Sequence, residues 1–216
     1  MKLSQAEHTV ELLLDKHGRT FAAELGIDLK KGMPSPLFQL LCLALLSSAR
    51  LSAGNAMQAC KALGKAGWKT SRKMAATRWE QRVEILNKNG YARYDEKTAS
   101  QLGDMVQLLE TRYAGDLRKL RTEAEGDIDK ARRLLKEFKG IGDVGAQIFL
   151  REVQVSWEEF RPFADDVALK AARKLGLGQD AASLAKHVTA EQFPVLVAAL
   201  VRSHLAKDHK QILAQA

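Results

Sequence analysis

The sequence predicts an all-α fold, and three observations lead to that prediction. Apolar residues recur at helical spacing along almost the whole chain. No window alternates β-branched or aromatic residues with polar ones, as a half-buried strand would. Turn residues such as Gly18, Gly64 and Asn89-Gly90 follow the periodic segments at short intervals. We therefore expect about ten helices joined by short loops.

The predicted helices follow one another from the first apolar repeat. Val10 and Leu13 open a helix that ends at Gly18. Ser35-Pro36 predicts the start of the next helix, with the serine as N-cap and the proline in the first helical position. The segment from Leu37 to Leu46 is apolar nearly all round, which predicts the centre of a helical bundle. The remaining helices are predicted over residues 52–63, 77–86, 95–113, 128–138, 144–154, 166–174, 181–188 and 192–213.

Composition and charge exclude several classes of protein and favour an anionic partner. The 216 residues are 46% hydrophobic and 28% charged, with 15 Gly and 4 Pro, which excludes a disordered or a collagen-like chain. Lys and Arg number 34 against 26 Asp and Glu, and this net charge of +8 favours nucleic acid as a partner. The N-terminal residues lack the apolar run of a signal peptide, and no apolar run is long enough to span a membrane. We expect a monomeric cytoplasmic protein, associated with the nucleoid if bacterial, without a membrane partner.

The cysteines and histidines offer little material for a metal site. Cys42 and Cys60 are too few for a disulfide framework or for a cluster held by four thiolates, and they indicate a reducing compartment. His187, His204 and His209 are too scattered in the sequence to predict a metal site. We interpret them as surface residues or as core residues with hydrogen-bond partners, and we predict no metal ligand.

The most informative segment is a glycine turn between two predicted helices. In Gly140-Ile141-Gly142 the glycines allow unusual backbone angles and a close approach, while Ile141 is predicted to anchor the turn in the core. The N–H groups through Gly145 then point outward at the N-terminus of the second helix, where a phosphate can bind without base contacts. An ordinary interhelical turn that uses two glycines is the alternative.

The helix before this turn is rich in positive charge. Five basic residues lie within ten positions and are opposed in that stretch only by Glu137; they are Lys130, Arg132, Arg133, Lys136 and Lys139. Such a run is either a solvated helix face or the approach to a phosphate site. Asp143, in contrast, would repel a phosphate at the turn unless its carboxylate caps the second helix sideways.

An aspartate at the start of a later helix completes the pattern. Residues 161–177 read RPFADDVALKAARKLGL. Together with the hairpin in residues 134–150, this segment resembles the helix–hairpin–helix–Gly/Pro–Asp superfamily of DNA glycosylases, in the style of endonuclease III and of small 3-methyladenine glycosylases. The resemblance implies that Asp165, eleven residues before Gly176 (176 − 165 = 11), is the catalytic carboxylate of a base excision repair enzyme. A helix N-cap without catalysis is the alternative.

The same resemblance implies an architecture and a DNA-contact surface. Residues 34–139 would form one helical lobe, and residues 1–33 and 140–216 a second, with a cleft between them. Arg50, in the loop after the buried helix, would fill the gap left by an extruded base, and Tyr91 or Arg93 would wedge into the duplex. The partner would be double-stranded DNA that contains a lesion. The implied hairpin contacts are Lys139, Gly140, Ile141, Gly142, Val144 and Gly145.

The chain departs from the family pattern at three places, one of which is Asp143, where relatives often carry a basic or neutral residue. Val144 stands where bifunctional relatives carry the lysine that forms a Schiff base, so we expect base hydrolysis without lysine-dependent strand cleavage. Residues 178–216 contain no cysteine, so we expect no iron–sulfur cluster, while a monovalent cation at the hairpin carbonyls is consistent with the family. These departures leave a second hypothesis open, a non-catalytic helix–hairpin–helix module that binds damaged or abasic DNA. The damaged base itself is not predicted.

Overall fold

A computed structural model describes residues 4–216, and within that range the chain is all-helical, as the sequence predicts. Fourteen α-helices make up the described chain, with a π-helical turn at Asn87–Tyr91 and a 3-10 turn at Glu158–Phe160. The helices are α1 Gln5–His17, α2 Phe21–Glu24, α3 Pro34–Ser47, α4 Ala53–Lys65, α5 Ser71–Ala75, α6 Trp79–Leu86, α7 Asp95–Tyr113, α8 Arg118–Ala124, α9 Ile128–Lys136, α10 Asp143–Val153, α11 Asp166–Leu175, α12 Ala181–Ala185, α13 Phe193–Ala206 and α14 His209–Gln215.

The start of α3 differs from the prediction. Met33 is the N-cap residue and Pro34 takes the first helical position, so the helix begins before Ser35-Pro36. The Ser35 hydroxyl caps no N–H there and instead donates to the carbonyl oxygen of Lys69 at 2.8 Å. Two prolines therefore lie in the first turn, where a missing N–H removes no helical hydrogen bond.

Other helices match the prediction or divide it. The bounds of α7 are those predicted, Asp95–Tyr113. The long C-terminal helix predicted over 192–213 is instead two helices, because Lys207 adopts a left-handed conformation with φ of 58° and ends α13. The sequence periodicity did not predict α2, α5 or α8, which have four, five and seven residues.

The centre of the fold is α3. Its residues 37–46, Gln39 apart, are buried, as the sequence predicts for the middle of a bundle. The helix packs against α4, α7 and α10. Since α10 follows the glycine turn, α3 provides the surface on which the hairpin is held.

The first helix packs against the last two. Helix α1 contacts α13 and α14, and the His8 ring bonds the carbonyl oxygen of Gln215 at 3.2 Å. Asp208, the residue before α14, accepts from Lys16 and His17 at 2.9 and 2.8 Å. The division into residues 34–139 against 1–33 and 140–216 stays a prediction. Among the helices of residues 4–216, none is both long and apolar enough to cross a bilayer.

Candidate functional site

The glycine turn forms a helix–hairpin–helix with α9 and α10. Gly140 has φ of +96°, and a Cβ there would lie 2.8 Å from the Gln101 side chain, so both backbone and space require glycine. Ile141 is 3% exposed and packs into the core, as predicted for the anchor of the hairpin. The turn therefore has the shape that the sequence predicts.

The next two glycines, Gly142 and Gly145, differ in whether the surrounding protein requires a glycine. A Cβ on Gly145 would lie 2.4 Å from the Ser48 hydroxyl and 3.3 Å from the Ala44 carbonyl oxygen, so this glycine permits α10 to pack closely on α3. Gly142, in contrast, has φ of −95°, and nothing in the protein lies within 4 Å of a Cβ built there. Neither strain nor crowding within the chain requires glycine at 142. The space in front of it is open to an external group.

The N-terminus of α10 has no side-chain cap. The N–H groups of residues 142–145 donate to no acceptor within the described chain, and the next N–H, of Ala146, bonds the Gly142 carbonyl oxygen at 3.0 Å. Unpaired N–H groups and the positive end of the helix dipole attract an anion. Phosphate binding at this N-terminus stays a prediction, and the unpaired N–H groups are compatible with it.

The charge in front of the turn is more balanced than the sequence indicates. Four of the five basic residues form ion pairs with acids outside the stretch: Lys130 with Glu125, Arg132 with Asp129, Lys136 with Asp143, and Lys139 with Asp104. Only Arg133 has no ion pair within the described chain. Glu137, expected to oppose this charge, pairs with Arg112. The positive charge of this run is therefore largely balanced by neighbouring acids, and its role at a phosphate site stays a prediction.

Asp143 is part of this balance. Its carboxylate accepts from Lys136 at 2.7 Å, and this hydrogen bond lowers the pKa of the Asp143 carboxyl. The carboxylate also occupies the first position of α10, where a negative charge stabilises the helix. Asp143 thus stays charged beside the turn and directs Lys136 towards it.

Arg50 and the turn share a pocket. A cavity of about 470 Å³ is lined by Arg50, Lys97, Gln101 and Gly140, together with Leu45, Ser48, Ala49, Tyr94 and Thr98. Arg50 is exposed at the end of the loop after α3, and no acidic partner holds it within the described chain. Its predicted role as a plug residue is compatible with this position.

The second predicted loop is only partly available to DNA. Tyr91 is fully buried and its hydroxyl donates to the carbonyl oxygen of Leu46, so the prediction that Tyr91 wedges into a duplex is wrong. Its burial raises the pKa of the Tyr91 hydroxyl. Arg93 is exposed, with its guanidinium 5.5 Å from the centre of the Tyr94 ring. Tyr91 was predicted from its place beside Gly90, a pattern that does not distinguish an inward from an outward ring.

Asp165 is buried and caps α11. It is 3% exposed, and its Oδ1 accepts the N–H of Ala168 at 2.8 Å, so Asp165 is the N-cap of α11, while its catalytic role stays a prediction. Its Oδ2 accepts from the Arg151 guanidinium. Each carboxylate oxygen thus makes one hydrogen bond and keeps further acceptor capacity. The neighbouring Asp166 is exposed and bonds Gln147 at 2.8 Å.

Arg151 connects Asp165 to a second buried carboxylate. The guanidinium Nε donates to Glu152 Oε1 at 3.2 Å, and Glu152 Oε2 accepts the N–H of Ala22 at 2.9 Å. Two carboxylates and one guanidinium give this cluster a formal charge of −1. The burial of Arg151 was not predicted from the sequence, because a basic residue in the last turn of a helix usually complements the helix dipole from the surface. The only local signal is that three nearby residues, Phe149, Leu150 and Val153, are apolar.

A second cavity brings the hairpin and Asp165 together. Its volume is about 360 Å³, and it is lined by Asp143 and Val144, the first two residues of α10, and by Asp165. Three of the exposed large apolar residues also lie there: Val144, Val167 and Leu205, with exposed fractions of 61%, 37% and 50%. The other lining residues are Phe21, Leu43, Ser47, Leu51, Ser52, Ala53, Met57, Gln147, Ile148, Arg151, Asp166 and Val201. The pocket is therefore mostly apolar, with one carboxylate cluster in its wall.

This chain has little detectable sequence similarity to characterised proteins. No family model matches it, and no curated protein matches it. A solved structure of a trapped covalent intermediate of endonuclease III with DNA, an estranged-adenine complex, is similar with a TM-score of 0.52. The two chains are 18% identical over 77% of this chain and 73% of the other. The protein thus has the helical fold seen in endonuclease III.

Proposed function

We propose that the protein is a DNA glycosylase of base excision repair. The observation that carries this proposal is the shared pocket: Asp143 and Val144, two of the residues with unpaired N–H groups at the start of α10, line one cavity with Asp165. A phosphate held at the start of α10 would bring the sugar of a nucleotide near Asp165. The endonuclease III–DNA complex of similar fold supports the choice of DNA as the partner.

Binding would begin at the turn. The N–H groups of residues 142–145 would donate to a backbone phosphate, and the missing side chain at Gly142 lets that phosphate approach. Arg50 would enter the space left by the extruded base, and the apolar pocket would receive the base. Arg93, Lys97 and Arg133 are exposed cations that can contact further phosphates.

The chemical step would depend on the charge of the carboxylate cluster. As the C1′–N bond breaks, its electron pair leaves with the base and positive charge develops on the sugar. The formal charge of −1 shared by Asp165, Glu152 and Arg151 favours that charge in a water-poor site. Asp165 retains acceptor capacity to orient a water molecule. Water then adds to C1′, and its released proton passes to the departing base or to solvent.

The reaction would stop at the abasic site. Val144 carries no nucleophile, and no lysine is among the residues that line the pocket. We therefore propose hydrolysis without lysine-dependent strand cleavage.

The protein would work without an iron–sulfur cluster. The chain has two cysteines, and a cluster of this kind needs four thiolates. Both are buried, and burial raises the pKa of the Cys60 thiol to about 12. A monovalent cation at the hairpin remains a proposal: the carbonyl oxygens of residues 139–141 accept no hydrogen bond within the described chain, and such oxygens suit that ion. When bound, it would add positive charge beside the phosphate.

One observation favours the second candidate, a module that binds lesions without cutting. Both oxygens of Asp165 already have partners, one of them a guanidinium that offsets its charge. A cap paired in this way is complete as a structural element. The same hairpin would then hold damaged or abasic DNA, and the apolar pocket would hold the extruded base.

An excision assay separates the two candidates. Duplexes with uracil, oxidised pyrimidines, alkylated purines or mismatches are incubated with the protein, and abasic sites are then cleaved with alkali. We expect alkali-dependent breaks with at least one lesion, none without alkali, and no borohydride-trapped adduct. Asp165→Asn should reduce excision at least a hundredfold while lesion binding is retained.

Asp166→Asn is the matched control, since Asp166 is adjacent, exposed and outside the carboxylate cluster. It should excise at the wild-type rate. Tight lesion binding without any breaks would instead establish the binding module. Wild-type excision by a folded Asp165→Asn protein would exclude the proposed mechanism.

A further inference from the structure

A pocket on the C-terminal helices lies outside the site described above. Its volume is about 520 Å³. It is lined by Lys174 of α11, His204 of α13, Lys207 from the link between α13 and α14, and His209, Lys210 and Leu213 of α14. Lys174 is in the last turn of α11, whereas Asp165 caps the first turn. The ten residues of that helix separate the two sites by about 15 Å along its axis.

Two imidazoles in this pocket lack hydrogen-bond partners. The rings of His204 and His209 meet edge to face with centroids 5.9 Å apart. His204 Nδ1 and His209 Nε2 are buried and have no hydrogen-bond partner within residues 4–216. The His209 residue as a whole is 8% exposed. His187, in contrast, bonds the Leu177 carbonyl oxygen at 2.8 Å.

The charge around these rings is positive. Three ammonium groups line the pocket, from Lys174, Lys207 and Lys210, and no carboxylate does. Asp208 lies between Lys207 and His209 in the sequence, but its carboxylate oxygens accept hydrogen bonds from Ser203, Lys16 and His17. Burial acts to raise the pKa of the Asp208 carboxyl, but those hydrogen bonds outweigh it and lower the pKa to about 2. The negative charge of Asp208 is thus directed to α1.

The two imidazoles add no charge of their own near neutral pH. Burial, followed by the nearby lysines, lowers the pKa of both His204 and His209. Near neutral pH each ring is therefore uncharged and carries one N–H. Ammonium groups repel a metal cation and attract an oxyanion, and uncharged rings add no positive charge that would depend on pH near neutrality.

We propose that this pocket binds a phosphate group. Its oxygens would accept from the three lysines, and the rings of His204 and His209, which also line the pocket, would lie beside it. The phosphate can come from the DNA backbone beyond the hairpin or from a free phosphate compound. The proposal is independent of base excision, because it uses none of the residues that line the Asp165 pocket.

The test is a titration of the full chain with inorganic phosphate, followed by the NMR signals of the histidine rings. We expect saturable shifts at His204 and His209, with His8 and His187 as internal references. Lys174→Gln/Lys210→Gln removes two exposed charges and should weaken phosphate binding at least tenfold. The matched control, Lys61→Gln/Lys65→Gln on α4, should bind as the wild type does.

Equal, non-saturating shifts of all histidines would overturn the proposal, as would unchanged affinity in Lys174→Gln/Lys210→Gln. A second arm identifies the source of the phosphate. An undamaged DNA duplex that displaces phosphate from His204 and His209 identifies the DNA backbone as the ligand. Phosphate binding that persists with the duplex bound identifies a free phosphate compound. Neither arm measures excision, so loss of the glycosylase activity would leave this result unaffected.

Discussion

Two helix N-termini line the same pocket, but only one of them has a side-chain cap for its free N–H groups. Helix α10 begins at Asp143 without a side-chain cap, and its first N–H groups remain unpaired. Helix α11 begins after Asp165, whose carboxylate caps it and is held by Arg151. The first N-terminus is open to an anion from outside, and the second already contains its own.

This difference assigns a separate task to each wall of the pocket. In the proposed function the open N-terminus of α10 binds a phosphate, and the fixed carboxylate of Asp165 favours the positive charge that develops beside it and orients water. The fixed position also has a structural function, because the carboxylate balances a buried guanidinium. Substitutions at the two walls should therefore affect different properties, stability at Asp165 and DNA affinity at the turn.

The largest effect should come from Asp165→Asn. Asparagine keeps the cap but leaves Arg151 with fewer buried negative partners, and breaking such a pair costs about 3–5 kcal/mol. We expect a loss of that size in the free energy of unfolding, measured with urea. The double variant Arg151→Met/Asp165→Asn should recover part of it, since it removes both charges. Asp166→Asn should change stability by less than about 0.5 kcal/mol. Equal stability of the two single variants would show that the ion pair is not structural.

An intermediate effect is expected from the glycines of the turn. Gly145→Ala forces a methyl group against Ser48 and the backbone of α3, so it should cost about 1–3 kcal/mol of stability. Gly142→Ala has open space and should leave stability within about 0.5 kcal/mol, yet weaken DNA binding about tenfold, because its methyl group faces the phosphate. Urea unfolding and fluorescence anisotropy measure the two properties. Unchanged DNA affinity in Gly142→Ala would place the phosphate elsewhere.

The smallest effect should come from charges at the turn. Asp143→Asn removes a carboxylate near the phosphate and frees Lys136, which should increase DNA affinity about two- to fivefold at low salt. Arg133→Gln removes the one basic residue of the stretch before the turn that forms no ion pair within the described chain. It should make the slope of log K for DNA binding against log salt concentration shallower by about 0.9. Affinities measured between low and moderate salt test both. A decrease in affinity for Asp143→Asn would show that Lys136 must be held by its partner.

The sequence predicted those parts of the fold that depend on local pattern. Apolar periodicity predicted α7 with its observed bounds, and the glycine turn with Ile141 as its anchor. It did not predict α2, α5 or α8, since helices this short span too few turns for a period to be visible. The break at Lys207 has no glycine to mark it.

The parts of the site that depend on distant contacts were not predicted. Asp104 lies 35 residues before Lys139 (139 − 104 = 35), yet the two form an ion pair in the fold. The inward turn of the Tyr91 ring depends on a carbonyl of α3. The burial of Arg151 depends on α2 and α11, which cover it from other parts of the chain. Such contacts leave no periodic signal in the residues that make them.

The contact of α1 with α13 and α14 has a consequence for synthesis of the chain on the ribosome. His8 and Gln215, which are hydrogen-bonded, are 207 residues apart, so about 10 to 40 s of translation at 5–20 residues per second separate their appearance. During that interval the face of α1 that carries Val10 and Leu13 has no native partner. Closure of this part of the fold is therefore a late step, and the newly made chain carries an exposed apolar helix until the C-terminal helices emerge.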